Sequence, residues 1–545
     1  MGVCTTCGDG RTVGWHSAEV TSATEPRPLN LADVLEAVAD AVPDRVAIAT
    51  LERDWTYAEV DERSTRLAQH LRSLGVGPGD HVAVHSANRI EWVDAFYGCF
   101  KARAIPININ YKYLQDELAY LYDNTDCVAA IVAPEHVEAL QSLSLPALRH
   151  VVVLDDRYDD ALAAPSTERL GGRSADDRYV LYTGGTTGNP KGVVWRHEDI
   201  LRAALNAGRF GAPMESVEQL AAEAAANESP MTLLACGPMM HGGSQWILGN
   251  GHVSGATVAL YTEPSFHPER VLDLVEKARV NSLTFLGDAM GRPVAETILA
   301  HPDRWDLSSL AAVSNGAAPL SEGVREEIRR ALPGRFILDS YGSSESGATG
   351  SRVDDGSEGA AGAPRFGVGA DVEVFDAGLR PCPPGVDGML GRTGAIPLGY
   401  YKDPKKTAAT FPVVDGVRWS IPGDFARREA DGSVTVLGRG SVCINTGGEK
   451  VHPEEVEAVL LRHEDVFDAV VVGTPHERWG QQVTALVQRR EGSQVTEEDL
   501  RQHARSLISA YKVPKQVLFV PEVPRTPVSK VDYPASAALA RQLLG

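Results

Sequence analysis

The stretch YTGGTTGNPKGVV at residues 182–194 crowds glycines and threonines around a single lysine, Lys191. Glycines let backbone N–H groups approach a ligand closely, threonines add hydroxyl donors, and the lysine adds one compact charge. Together they suit phosphate oxygens. The P-loop of NTPases, G-x-x-x-x-G-K-[ST], uses the same ingredients in another order. Here Pro190 precedes Lys191 and Gly192 follows it, so the magnesium-binding hydroxyl of that loop has no counterpart. The preceding run RYVLY reads as a strand. That would put the loop at a strand's C-terminal end, where open α/β sheets bind ligands. Taken alone, the stretch also reads as a flexible Gly/Thr turn.

Outward from the loop, the chain alternates. LADVLEAVADAV and YAEVDERSTRLAQHLRSL carry apolar residues at helical spacing, while RVAIATL, HVAVHS, CVAAIVA and HVVVL are short β-rich runs. Strands alternating with helices predict an α/β fold with a largely parallel sheet. After about residue 365 the rhythm changes. DVEVFD, GVRWSI and SVTVLG, separated by Gly, Pro and Asp, predict a small antiparallel module. Beyond LGRGS, residues 437–441, PEEVEAVLLRH, VFDAVVVGTP, QVTALVQRR, TEEDLRQHARSLI and QVLFVPEV read as α-β-β-α-β, a compact α+β unit. The expected organisation is an unstructured leader over 1–25, a large domain over 26–437 and a small domain over 438–545. The Ala-rich LAAEAAANES is expected to be a surface helix end or an insertion.

Composition narrows the class. The net charge is −21 over 545 residues with no long basic run, which argues against a nucleic-acid or anionic-membrane surface. A local basic pocket for an anionic substrate is compatible with an acidic protein. No apolar run approaches the roughly 18 residues of a membrane-spanning helix. The N-terminus lacks the continuous apolar core of a signal peptide, so a cytoplasmic protein is expected. The seven cysteines are scattered and predict no disulfide framework. Cys4 and Cys7 form a C-x-x-C without a second ligand pair nearby, and are read as part of the leader.

Further segments accompany the loop: MMHGGSQW at 239–246, SNGAAPL at 314–320, DSYGSSESG at 339–347, IPGDFARREADGSVTVLGRGSVCINTGGEKVHPEEVE at 421–457 and PRTPVSKVDY at 524–533. In this order they resemble the adenylate-forming superfamily of acyl-CoA synthetases, nonribosomal-peptide adenylation domains and luciferases, from about residue 30 to about 535. YTGGTTGNPKGVVW, MMHGGSQW and CINTGGEKVHPEEVE look closest to bacterial fatty-acyl-CoA-synthetase-like members. The resemblance implies a large N-terminal domain of parallel-sheet α/β subdomains plus a small β module, and a small, mobile α+β C-terminal domain. It implies ATP and Mg2+ as cofactors and coenzyme A as co-substrate. A carboxylate would attack the α-phosphorus of ATP, releasing pyrophosphate, and a thiol would then displace AMP.

Residue roles follow from the same resemblance. Thr183, Gly184, Thr186, Thr187 and Lys191 would meet the β- and γ-phosphates, Ser344 the α-phosphate, and Glu345 the magnesium ion. Adenine would lie against Tyr341, lined by Gly316, Ala317 and Ala318, with Asp339 or Ser340 near its amino group. Asp424 would accept from the ribose hydroxyls, with Arg439 as a second contact. Lys530 would bridge carboxylate and α-phosphate oxygens during adenylation; the family's usual preceding glycine is Ser529 here. Ser441 would mark the hinge, and Gly447, Gly448 and Lys450 the pantetheine path. The acid pocket would use His241, Gly242, Gly243, Trp246, Asp288 and Ala289. Singly, Glu345 reads as a solvated acid, Arg439 as a surface ion pair, Lys530 as a tail lysine and His241 as a core histidine.

The expected function is an ATP-dependent acid–CoA ligase of a small-molecule carboxylic acid, with a homodimer as the assembly considered. One alternative keeps adenylation but changes the acceptor: a carrier protein, an amine, or nitrite activated to diazotise an aryl amine. Another is a nucleotide-binding protein without catalysis. The joint presence of Lys191, Glu345, Asp424 and Lys530 argues against the last.

Overall fold

The computed structural model describes residues 27–545 apart from 114, 164–165, 186–187, 206–213, 317, 319, 355–363, 440–441, 443, 447–448, 477–479, 509 and 527–530. For 160–161, 184–185, 188–189, 439, 445, 449–450 and 480 it describes backbone alone. The leader with Cys4 and Cys7 therefore lies outside the described residues.

The main sheet is built on parallel strands in the order Val46–Ala49, Thr257–Leu260, Thr232–Ala235, Ser282–Phe285, Ala312–Asn315 and Phe336–Ser343. Leu283, Phe285, Val313 and Ile337 are buried because helices cover both faces, which is why these strands read as short apolar runs rather than strict alternations. Antiparallel pairing begins at Phe336–Ser343 with Gly347–Asp354 and continues through Arg365–Val368, Val434–Arg439, Asp424–Arg428, Asp387–Arg392 and Val372–Phe375. This is the antiparallel module expected after residue 365. GVRWSI is not part of its ladder. Its Val417–Arg418 is strand in a separate small hairpin with Val413–Val414, and Ser420 reaches the module through a single isolated bridge to Arg392.

A second, all-parallel sheet orders Ile105–Asn108, His81–His85, Ala129–Val132 and His150–Val153. The helix Tyr57–Ser73 starts on a capping box in which Thr56 and Glu59 satisfy each other's backbone N–H groups. The Ala-rich stretch is the expected surface helix end, with Ala222, Glu223, Ala225 and Ala226 exposed. It belongs to a ten-residue helix, Val217–Ala226, whose Val217, Leu220, Ala221 and Ala224 are buried and which packs on the helix Leu31–Ala41. Arg45 donates to the carbonyls of Ala224 and Asn227, closing its C-terminal end.

From Ile444 the chain forms its own sheet from Ile444–Thr446, Glu449–Val451, Gly480–Arg489, Val466–His476 and Gln516–Phe519. The helices Pro453–Leu460 and Glu497–Leu507 complete the predicted α-β-β-α-β order. The first hairpin, around NTGGEK, and the last helix, Tyr533–Leu544, were not legible as apolar patterns. Among the described residues no helix is long and apolar enough to cross a membrane.

Candidate functional site

RYVLY is a strand, but not one of the parallel sheet. Arg178–Gly185 and Gly188–Arg196 form an antiparallel hairpin in a sheet with Gly399–Tyr400. The described part of the glycine-rich stretch therefore lies on two antiparallel strands rather than at a strand-to-helix junction. The register places Thr183 opposite Lys191, so the two share one face. A methyl group at Gly192 would lie 2.6 Å from the ring of Tyr182, which is why no side chain fits there. Tyr182 is itself fixed: Asn108 donates to its carbonyl at 2.8 Å and accepts from its N–H at 2.9 Å. Thr186 and Thr187 lie outside the described residues, and Gly184 is described by its backbone alone.

Tyr400 joins this hairpin to the acid. It pairs with Val193 in the ladder, the Lys191 ammonium stands 5.8 Å from its ring centroid, and its hydroxyl donates to Glu345 Oε1 at 3.0 Å. Gly399 places it, with a φ of 148° and no room for a Cβ beside Thr407. The Ser344–Ser346 turn is gripped by its backbone. Trp195 donates to the Ser344 carbonyl at 3.0 Å, Ser420 to that of Glu345 at 2.6 Å, and Arg392 to that of Ser346 at 2.6 Å. Glu345 thus projects from a turn held by three side chains. Among the described residues no group of three His, Cys, Asp or Glu side chains could hold a metal by itself. A single carboxylate beside a phosphate loop still fits magnesium, which takes few protein ligands and completes its shell with phosphate oxygens and water.

Next to this turn, Tyr341, Ser346, Thr349, Arg392, Ser420 and Asp424 line a narrow cleft. Asp424 is 7% exposed and stands opposite Arg439 in the strand ladder. Gly316 and Ala318 follow the strand Ala312–Asn315. Asn315 donates to the Ala318 carbonyl and to Asp339, and accepts from Gly287 N–H. Burial alone would raise the Asp339 carboxyl, but Arg325 and Arg352, each at 2.7 Å, hold it below its ordinary range. Its oxygens are committed to that ion pair, whereas Ser340 beside it is exposed. Ala317 lies outside the described residues.

The segment before His241 is fixed from the second sheet. Asn88 accepts from Met239 N–H at 2.6 Å and donates to the Gly237 and Tyr261 carbonyls, and Asn108 donates to the Met240 carbonyl at 2.7 Å. His241 is then the N-cap of the helix Gly242–Val253. The two glycines differ. A Cβ at Gly242 would strike Leu181 at 2.4 Å, while Gly243 faces open space. Trp246 packs, half-buried, against the main core. Asp288 begins the helix Asp288–Ala300 and accepts from the Ser321 N–H at 2.7 Å and hydroxyl at 2.5 Å; burial raises its carboxyl above the usual range. Ala289 is exposed.

Lys530, Ser441, Gly447 and Gly448 lie outside the described residues; Arg439 and Lys450 are described by their backbones, Lys450 opposite Asn445. Sequence reasoning did not single out Tyr400, Ser420, Arg392, Asn88 or Asn108. Each is an isolated polar or aromatic residue whose partners are remote in the chain, so no local spacing marks it.

Residues 35–401 match the family described as AMP-binding enzyme, and residues 455–530 match the AMP-binding enzyme C-terminal domain. The chain is 45% identical to the 3-oxocholest-4-en-26-oate–CoA ligase of Rhodococcus rhodochrous, covering 93% of this chain and 95% of that protein. It is 44% identical to the medium/long-chain-fatty-acid–CoA/3-oxocholest-4-en-26-oate–CoA ligase of Mycolicibacterium smegmatis, over the same shares. The fold matches ATP-bound MatB from Rhodopseudomonas palustris with a TM-score of 0.81 at 24% identity, over 95% of this chain and 100% of that one.

Proposed function

We propose, since the chain belongs to the AMP-binding enzyme family, that it is an AMP-forming ligase for large apolar carboxylic acids. It activates the acid with ATP as an acyl-adenylate, releases pyrophosphate, and transfers the acyl group to coenzyme A. The observation that carries this reading is Tyr400, which has Lys191 near its ring and Glu345 on its hydroxyl. Phosphoryl-type transfer needs positioning and charge neutralisation rather than covalent help, and this arrangement supplies both.

In this reading Thr183 and Lys191 bind the β- and γ-phosphates. Glu345 would hold Mg2+, which neutralises the pyrophosphate leaving group when bound. Asp424 accepts from the ribose, its buried carboxylate offering charged acceptors. Ser340 rather than Asp339 is the neighbour of the adenine amino group, because two arginines already occupy Asp339. Gly243, open to space in the first turn of the helix Gly242–Val253, admits the acid. The substrate class is a medium- to long-chain or sterol side-chain acid, supported by the names of relatives that are aligned over nearly the whole chain. Lys530 acts in adenylation, and the domain division falls near residues 437–441. The enzyme is cytoplasmic, and a homodimer belongs to the same reading. The nitrite-activating alternative is not favoured, since these relatives are CoA ligases.

The test is an end-point mass-spectrometric screen with ATP, magnesium and a panel of fatty, sterol and aryl acids, with and without CoA. Acyl-CoA and AMP from an apolar acid are expected. AMP formed only with nitrite and an aryl amine, without CoA dependence, would overturn the reading.

A further inference from the structure

We propose that Arg292, Phe467 and Asp468 form a docking contact that seats the C-terminal domain for adenylation, with Arg292 and Asp468 as positioning residues. The proposal rests on the functional reading above. Arg292 lies on the helix Asp288–Ala300 and is 5% exposed. Its guanidinium donates to the Phe467 carbonyl at 3.4 Å and stands 4.9 Å from the Phe467 ring centroid. Phe467 and Asp468 open the strand Val466–His476 of the C-terminal sheet. On its own side, among the described residues, Arg292 meets Glu327 at 3.4 Å and Asp288 at 3.7 Å, no closer than it meets the Phe467 carbonyl. Glu327 is shared across the boundary, since Arg490, just past the strand Gly480–Arg489, reaches the same oxygen at 3.3 Å.

The next residue carries the contact to the segment that matters for chemistry. Arg525 donates to both oxygens of Asp468, from Nη2 at 2.6 Å and from Nε at 3.1 Å. Arg525 bridges Val531 in antiparallel fashion, and Asp532 N–H donates to the Pro524 carbonyl at 3.2 Å. Both chain ends flanking the segment that contains Lys530 are therefore fastened to one another and to Asp468. Asp468 is also close enough to Asp288 for the two carboxylates to repel. The base of the lysine segment and the start of the helix Asp288–Ala300, where the family resemblance implies the acid pocket, therefore lie close together. A lysine that must arrive between two anions gains most from a base already fixed in place, because the ordering is then done before the reaction. A planar arginine suits this post, engaging a carbonyl and a ring face at once.

The experiment compares wild type with Phe467→Ala, Arg292→Met, Arg292→Lys and the Phe467→Ala/Arg292→Met double variant. Phe467 is 38% exposed, so its removal spares the fold even where Arg292→Met perturbs it. Two half-reactions are read separately: ATP–pyrophosphate exchange with an apolar acid, and CoA-dependent consumption of a synthetic acyl-adenylate. Domain arrangement is read by small-angle X-ray scattering of the ligand-free protein. Each of Phe467→Ala and Arg292→Met should lower the exchange rate constant by roughly tenfold through loss of the docked population. The ATP Michaelis constant and the CoA step should be unchanged, with partial restoration in Arg292→Lys. The double variant should be no worse than the worse single, because both remove one contact. Equal losses in both half-reactions, multiplicative losses in the double variant, or no loss of exchange would overturn the proposal. Should wild type exchange pyrophosphate with no acid, the functional reading falls and scattering decides the docking contact. A larger radius of gyration in Phe467→Ala then upholds it, and an unchanged radius overturns it.

Discussion

The phenol of Tyr400 separates two contributions that are usually entangled, a ring face toward Lys191 and a hydroxyl toward Glu345. Tyr400→Phe keeps the first and removes the second. A hydrogen bond to a charged group is worth about 1.5–3 kcal/mol, so turnover should fall by about tenfold or more at saturating ATP. Steady-state kinetics check this, and an unchanged rate would mean the bond does not orient the acid. Glu345→Gln goes further, leaving an amide of the same shape without charge. Magnesium-dependent turnover should fall at least about tenfold, while AMP binding, measured by calorimetry, should hold, because AMP lacks the β- and γ-phosphates that a metal bridges. Equal losses in both would make Glu345 structural.

At the scale of the element, the hairpin Arg178–Gly185/Gly188–Arg196 holds the residues that flank the glycine-rich loop in register. Its arms are zipped by the ladder, and its base is pinned by Asn108 and by the packing of Tyr182 over Gly192. Tyr182 is 5% exposed and donates to Asn124 Oδ1 at 2.7 Å, so its ring cannot swing aside without losing that bond. Gly192→Ala should therefore cost about 1–3 kcal/mol, the usual price of overpacking. Thermal unfolding should show a lowered midpoint, and the ATP Michaelis constant should rise because Lys191 is the preceding residue. An unaltered midpoint would show that the ring yields. The same asparagine fastens the segment before His241, so hairpin and acid pocket share one support.

Across the whole molecule, charge buried in the C-terminal domain sets a pH dependence. Glu457 is pushed up to about 8 by burial, with the neighbouring Glu454 charge adding to the effect, against an ordinary value of 4.5. Its oxygens meet Val471 N–H and the Tyr533 hydroxyl. Between those two values the folded chain holds a proton that the unfolded chain has released, so this group's contribution to stability is full below 4.5 and is lost as pH rises toward 8. Wild type should unfold at a lower temperature at about pH 8.5 than at about pH 5.5, and Glu457→Gln, neutral throughout, should flatten that fall. Equal slopes would place the titration elsewhere. Lys530 tests the movement between half-reactions. Lys530→Ala should depress adenylate formation by about 100-fold or more while a synthetic acyl-adenylate is still consumed with CoA. Loss of both half-reactions in a folded variant would give Lys530 another role.

Much of this protein is written locally. Alternating helix and strand periods in residues 31–153 reported the α/β class, because burial of one face imposes a period of 3.6 or 2 on neighbouring residues. The order of the motifs from Tyr182 to Tyr533 marked the family, since a nucleotide needs the same kinds of donor wherever its phosphates, sugar and base lie. The hairpin geometry of the phosphate loop was not legible: RYVLY forms a strand in either arrangement, and only pairing with Gly188–Arg196 decides which sheet it joins. Nor could the sequence announce that Tyr400 meets Glu345, that Ser420 and Arg392 hold the acid's turn, or that Arg292 meets Phe467. These contacts span 55, 75, 46 and 175 residues. A pattern can record what a residue meets one turn or one strand position away. What it meets across the fold depends on how whole elements pack, and only the tertiary structure carries that information.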